Sequence, residues 1–360
     1  MTETRDESKP VRDEDAFDVG RVAEWLREHA ADGWRDRLTG MPEVRQFPGG
    51  ASNLTFLLAY PDGDLILRRP PTGVKAAGAH DMGREFRIQS ALAPVFPLVP
   101  EMVAHCEDES VIGLPFYVMT RAEGVIPRRE LGLDLSEQET STLCGNVWDV
   151  LIRLHSVDPE AAGLGGVGKG EGYVGRQVSG WTTRLDAART DDMGDWSDLT
   201  AWIAERQPAD VGTCLIHNDF RFDNLVLTPT DPPRVTAVLD WEMATLGDPL
   251  MDLGGSMSYW VQDDDDEFFR QFRRQPSNAP GMWSRQRIVD HYCERMGFSV
   301  SPEQWRFYEV FGLFRLAVIA QQIWYRYYHR QTTNEQYAVF GPAVGYLEQR
   351  ARSLILESTG

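Results

Sequence analysis

The sequence predicts an α+β chain of two lobes, and three observations lead to that class. Short apolar and β-branched runs bounded by Gly, Pro or polar residues occur at Asp64–Arg68, Pro115–Met119 and Val235–Leu239, a length and make-up that read as strands. Helical spacing governs the segments after them: Leu143, Val147, Leu151 and Leu154 share one face between Ser136 and His155, and long aromatic-rich stretches run from Pro302 to Tyr328 and from Tyr337 to Leu356. A chain of 360 residues that is 42% hydrophobic and 25% charged buries a sizeable core, enough for two lobes.

From the N-terminus, residues 1–16 are charged and are expected to be a disordered tail. Val22, Trp25, Leu26 and His29 then mark a short amphipathic helix. Phe47–Leu58 (FPGGASNLTFLL) is a Gly pair and small polar residues leading into a strand. Such a turn is an ordinary hairpin element, and it also lets backbone approach phosphate at Gly49 and Gly50, with Ser52 and Asn53 adding polar groups. In the next strand, alternation places Ile66 and Arg68 on one face and Leu65, Leu67 and Arg69 on the other. A helix expected to begin near Ala79 carries Glu85 among Phe86, Gln89 and Leu92. Gly163–Tyr173 (GLGGVGKGEGY) fits GxxxxGK, but Gly170 stands where Ser/Thr would hold a metal and no strand leads in, so a connection is expected rather than a phosphate loop.

Composition excludes several classes. A net charge of −19 argues against nucleic-acid or anionic-membrane partners, which need a basic surface. The charged N-terminus lacks a secretion signal's apolar run, and no apolar run reaches membrane length, so a cytoplasmic protein is expected. Cys106, Cys144, Cys214 and Cys293 lack CxxC spacing, so neither a disulfide framework nor a zinc site is predicted. The acidic run Asp263–Glu267 reads as a solvated loop.

The densest chemistry lies in HNDFRFDN, His217–Asn224, and LDWE, Leu239–Glu242. Phosphoryl transfer needs a carboxylate to orient the attacking hydroxyl, oxygen ligands for Mg²⁺, and positive charge over the transferring group. Asp219, Asn224, Asp240 and Arg221 are of the right types. Asp219 follows His217 by two residues and Asn224 follows Asp219 by five. That spacing, with Asp240-Trp241-Glu242 and then GDPLMDL at Gly247–Leu253, resembles the aminoglycoside phosphotransferase and choline kinase-like family of the protein-kinase-like superfamily. The spelling HxDFRxDN is most similar to the branch related to the kinase-like domain fused to some acyl-CoA dehydrogenases.

The resemblance implies a protein-kinase-like two-lobe fold: an N-terminal nucleotide-binding lobe at 17–121 with a five-stranded antiparallel sheet, and a helical catalytic and acceptor-binding lobe at 122–360. It implies ATP and Mg²⁺ as cofactors, Asp219 as catalytic base with Arg221 beside it, and Asn224 and Asp240 as metal ligands. It places Gly49, Gly50, Ser52 and Asn53 in the nucleotide lid. Only three of the 36 basic residues are lysines, Lys9, Lys75 and Lys169, and none ends the strand at 64–68. Arg68 therefore takes the phosphate-contacting position, with Arg69 and Lys75 as substitutes, and an ion pair to Glu85 is expected; a solvated helix charge is the alternative for Glu85. Adenine is expected at Met119, Thr120 and Arg121. His155 and His217 are read as structural histidines. The acceptor is a small-molecule hydroxyl of amino-sugar, choline-like or hydroxyacyl type, and the other readings are a nucleotide-binding pseudokinase or a protein kinase, the latter opposed by the missing activation segment.

Overall fold

The computed structural model describes residues 8–48, 53–71, 81–228 and 230–356. They form two compact units: one comprises the chain to Ile126 with Ala162–Leu164 and Asn224–Glu242, the other Pro127–Ala161, Gly165–Asp223 and Met243–Gly360. The division expected at 121/122 is displaced, because the first unit runs on to Ile126 and includes Asn224–Glu242. Val125 forms a β-bridge with Leu227. At Gly124, φ is +145° and a Cβ would lie 2.4 Å from the Leu227 carbonyl oxygen, so only glycine permits that approach.

The first unit contains β1 (Lys9–Pro10), α1 (Val19–His29), β2 (Glu43–Gln46), β3 (Leu54–Tyr60), β4 (Gly63–Arg69), α2 (Met82–Leu92), β5 (Met102–Cys106) and β6 (Phe116–Thr120). Its strands make one antiparallel sheet in the order β1-β2-β3-β4-β6-β5. This has one strand more than the family resemblance implied, and the extra strand comes from the segment expected to be a disordered tail. Lys9 and Pro10 pair with Gln46 and Arg45, while the Arg45 guanidinium donates to the Ser8 carbonyl at 2.7 Å. Asp15 is buried and accepts from Gln46 Nε2 at 2.8 Å. These partners compensate the charges that made the segment look solvated, and Pro10 is tolerated because β1 is an edge strand.

Strand alternation separates two apolar faces. Leu65 and Leu67 join Val22, Leu26, Phe56 and Leu58 in one core, and Ile66 joins Leu57, Met82, Tyr117 and Met119 in the other. Each such side chain contributes about 1.5–3 kcal/mol when buried, so a one-residue slip of β4 would expose a whole row. That register fixes the faces of Arg68 and Arg69. Asp81 caps α2, accepting from Arg84 N, so the helix begins at Met82 rather than near Ala79.

In the second unit α3 (Glu137–His155) starts at a Ser136–Glu139 capping box and buries Leu143, Val147, Leu151 and Leu154. α4 (Tyr173–Ala187), α5 (Ser197–Arg206) and β7 (Cys214–Ile216) follow. The chain then contributes the hairpin of β8 (Leu225–Thr228) and β9 (Arg234–Val238) to the first unit. It resumes in the second with β10 (Thr245–Gly247), antiparallel to β7, and with α6 (Pro249–Met257), α7 (Glu267–Gln271), α8 (Arg285–Met296), α9 (Pro302–Tyr328) and α10 (Phe340–Leu356). Gly254 and Gly312 let α6 and α9 touch, since a Cβ on Gly312 would meet the Gly254 carbonyl oxygen at 2.5 Å.

The acidic run is not a simple solvated loop. Asp265 is buried and pairs with Arg285 at 2.7 Å and with Arg350, and Asp266 caps α7. Among the described residues no helix is long and apolar enough to cross a membrane. All four cysteines are free thiols, three of them buried and Cys293 half-buried.

Candidate active site

The first unit holds one half of the expected chemistry. The hairpin pairs Leu225 with Val238, and Leu239 N donates to the Asn224 carbonyl at 2.8 Å. The two candidate metal ligands therefore leave the same end of one hairpin, Asn224 just before β8 and Asp240 just after β9. Asp240 adopts φ 65°, a left-handed conformation that Asp tolerates better than most residues, and Trp241 behind it is buried with its indole N–H on the Val238 carbonyl at 2.9 Å.

Arg68, at the end of β4, points into this cluster. Its Nη1 lies 3.2 Å from Glu85 Oε2 and its Nη2 3.1 Å from Asp240 Oδ1. The expected Arg68–Glu85 pair is thus formed, with side chains 10% and 2% exposed. Glu85 is no solvated helix charge: it also accepts from the Tyr117 hydroxyl and from Asn53 Nδ2, both at 2.9 Å. Burial pushes the Glu85 carboxyl above its ordinary range, against the pull of Arg68, Tyr117 and Asn53. Burial opposes the Arg68 charge as well, but Tyr117, Glu85 and Asp240 outweigh it and hold the guanidinium well above the usual arginine value. Arg69 lies on the opposite face, over the Phe56 ring, donating to the Asp15 carbonyl at 2.8 Å, so it cannot replace Arg68.

Gly49, Gly50, Ser52 and Lys75 lie outside the described residues. The segment expected at adenine is the end of β6, where Met119 is buried. The Thr120 N–H donates to the Glu101 carbonyl at 2.9 Å and the Arg121 N–H to the Asp64 carbonyl at 3.2 Å. Those two donors are spent within the sheet, which removes them as base contacts. The Arg121 side chain pairs with Asp64 at 2.7 Å.

Tyr117 and Glu242 were given no site role from the sequence. Tyr117 becomes recognisable only through the pairing of β4 with β6, which sets Arg68 opposite Tyr117. Glu242 Oε2 accepts from the same Asn53 amide at 3.2 Å, a contact across 189 residues that no local pattern reveals.

The donor set suits Mg²⁺. Asp240 is 35% exposed at its side chain, and its contact with Arg68 engages Oδ1, leaving Oδ2 with no hydrogen bond among the described residues. A carboxylate oxygen and the Asn224 amide oxygen are the hard ligands this cation takes while keeping waters.

The second unit holds the other half. β7 ends at Ile216 and the chain turns through the buried His217. Asp252, on α6 and 1% exposed, accepts from His217 N and Asn218 N, both at 2.8 Å, and from His155 Nε2 at 3.1 Å. His155 closes α3, and its Nδ1 meets the Tyr292 hydroxyl at 2.5 Å, so both histidines brace the turn as expected. Burial acts to raise the Asp252 pKa, but the hydrogen bonds and charge of its histidine partners prevail and hold it below the usual aspartate value.

Asn218 has φ 66°. Its Oδ1 accepts from the Tyr173 hydroxyl at 2.9 Å, its Nδ2 donates to the Met243 carbonyl at 3.0 Å, and its own carbonyl accepts from Arg315 Nη2 at 2.9 Å. Asp219 N donates to His217 Nδ1 at 3.3 Å. The Asp219 carboxylate is held by Arg221, with Nε at 2.9 Å and Nη2 at 3.0 Å, and Arg221 also faces Asp223 at 3.5 Å and packs on the Tyr259 ring at 4.6 Å. Burial opposes the Arg221 charge, but Asp219 and Asp223 raise its pKa overall. Asn218, Tyr173, Asp252 and Arg315 were not among the site residues expected from the sequence; their convergence depends on α4, α6 and α9.

The family described as "Phosphotransferase enzyme family" matches residues 43–287. Mouse acyl-CoA dehydrogenase family member 10 is 38% identical over 291 residues, which is 80% of this chain but 27% of that protein. A Ralstonia eutropha protein provisionally assigned as an aminoglycoside phosphotransferase has a crystal structure 30% identical to this chain, covering 95% of it and 99% of itself, at a TM-score of 0.79. The streptomycin–ATP complex of APH(2")-IIa is 16% identical, covers 93% of this chain and 97% of itself, and shares the fold at a TM-score of 0.57.

Proposed function

Because the chain belongs to the phosphotransferase enzyme family, we propose that it transfers the γ-phosphoryl group of ATP, with Mg²⁺, to a hydroxyl of a small molecule. The observation that carries this reading is the buried Arg68 held by Glu85 and reaching Asp240. A fixed guanidinium beside an oxygen-donor pair is suited to polyphosphate and a divalent cation. In this reading Arg68 contacts the α- and β-phosphates and Glu85 orients it. Asn224 and Asp240 hold Mg²⁺, which when bound neutralises charge on the phosphate oxygens. Asp219 orients the acceptor hydroxyl and takes its proton, and Arg221 holds the Asp219 carboxylate and offsets charge on the γ-phosphoryl group. The backbone near Met119 serves adenine without the two N–H groups already bonded.

Among acceptors, a hydroxyacyl compound is favoured over a polycationic amino sugar. The related mouse protein is named for acyl-CoA dehydrogenation, which points to acyl chemistry. The test is ADP release from Mg·ATP with hydroxy acids, their CoA thioesters, aminoglycosides and choline-like amines, with Asp219→Asn as control. Turnover of a hydroxyacyl compound that vanishes in the variant supports the reading; turnover that survives in Asp219→Asn removes the role of Asp219. Mg·ATP binding without turnover of any acceptor would favour a pseudokinase.

A further inference from the structure

Every hydrogen-bonding group of Asn218 is engaged, each by a different part of the second unit: its N–H by Asp252 of α6, its C=O by Arg315 of α9, its Oδ1 by Tyr173 of α4 and its Nδ2 by the Met243 carbonyl. The residue they converge on has φ 66°. A left-handed conformation is unfavourable for most non-glycine residues, and glycine would adopt it freely. Glycine would also lose the two side-chain bonds. Asparagine tolerates the conformation and supplies them, so the position is built to be held rather than merely turned. Tyr173 is buried, and burial pushes its phenol up to about 12, so it remains a hydroxyl donor at neutral pH. Asp252 spans two successive peptides, with Oδ1 on Asn218 N and Oδ2 on His217 N. The next residue in the chain is Asp219.

We propose that Asn218, clamped by Tyr173, Asp252, Met243 and Arg315, is the positioning residue that aims the Asp219 carboxylate, so that α4, α6 and α9 jointly set the base. This inference rests on the phosphotransferase reading and adds to it the groups through which the helical walls act on the reaction. Arg315 lies 97 residues after Asn218, and neither it nor Tyr173 needs to touch the acceptor for this role.

The test compares Tyr173→Phe, Asn218→Gly, Arg315→Met and Arg315→Lys with the intact protein in two measurements. Tyr173→Phe and Asn218→Gly change no charge, so they separate the clamp from the field of Arg315. The first measurement is amide hydrogen exchange at Asn218 and Asp219, which reads the clamp without turnover. The second is steady-state kinetics together with Mg·ATP affinity. The expected result is faster exchange at those amides and a kcat reduced about 10–100-fold, the effect of misplacing a catalytic group by about an ångström, with Mg·ATP affinity within about twofold of the intact protein. Arg315→Lys should recover part of the loss in Arg315→Met. Unchanged exchange overturns the clamp, and faster exchange with unchanged kcat overturns its positioning role. An equal fall in nucleotide affinity and kcat also overturns it, because that pattern marks general loosening. If the intact protein turns over and Asp219→Asn abolishes this while the clamp variants behave normally, the inference fails alone; if the intact protein turns over no acceptor, the phosphotransferase reading fails and takes the inference with it.

Discussion

Asp219 and Arg68 carry different burdens, and substitutions should separate them. Asp219→Asn keeps the shape of the side chain and removes the proton acceptor, so kcat should fall about 10²–10⁴-fold while Mg·ATP affinity stays nearly unchanged. Comparable losses in both, measured by steady-state kinetics and titration calorimetry, would place Asp219 in the nucleotide cradle instead. Arg68→Ala strips the buried Glu85 of its cation, and leaving one partner of a buried pair costs about 3–5 kcal/mol. The variant should unfold at lower denaturant and require more ATP for half-saturation, with the acceptor constant little changed. A selective effect on the acceptor would remove Arg68 from the phosphate site. The Arg68–Glu85 pair was readable because Arg68 falls near a strand end and Glu85 on the helix that follows. Tyr117 was not, since its relation to Arg68 arises from strand pairing between residues 49 apart.

At the scale of elements, α6 and the edge strand make testable contributions. Asp252 on α6 has a folded pKa below the ordinary aspartate value, so it binds its proton less readily in the folded protein than in the unfolded chain. Its contribution is therefore complete above about pH 4, near the unfolded value, and is lost as pH falls through the lower folded value. Urea unfolding of the intact protein and Asp252→Asn should differ most near neutral pH and converge below about pH 4. A gap that stays constant down to pH 2 would contradict the linkage. The segment that follows β1 brings a second prediction. Asp15 is 5% exposed and accepts from Gln46, so Asp15→Ala leaves a buried amide donor unpaired and should cost about 1–3 kcal/mol. Thermal unfolding within error of the parent protein would mean that the N-terminal segment contributes nothing to the sheet.

At the scale of the whole molecule, the function proposed here makes stability depend on ligand. A ligand that binds only the folded protein at about a hundred times its dissociation constant adds about 2.7 kcal/mol. Mg·ATP should therefore raise the unfolding temperature by several degrees, whereas ATP with excess EDTA should do so far less, and Asp240→Ala should respond weakly even with Mg²⁺. Equal shifts with and without the cation would exclude Asn224 and Asp240 as its ligands. The net charge of −19 works against binding a polyanion, so arginines held locally must reverse the field at the phosphates.

The sequence by itself determined the class of elements and the family. Helix and strand periods are local, as in the buried stripe of α3 and the alternation of β4, and the HxDxxxxN spacing needs no tertiary knowledge. It also specified the start of α9, because Ser301, Pro302 and Gln304 form a cap within one turn. Tertiary structure alone decided the sixth strand, the transfer of Asn224–Glu242 to the first unit, the burial of Asp265 and the clamp on Asn218. Each depends on partners distant in the chain: Arg45 for Ser8, Val125 for Leu227, Arg350 for Asp265 and Arg315 for Asn218. A charge or a turn residue looks solvated when read alone, and only a partner brought from far along the chain makes its burial affordable.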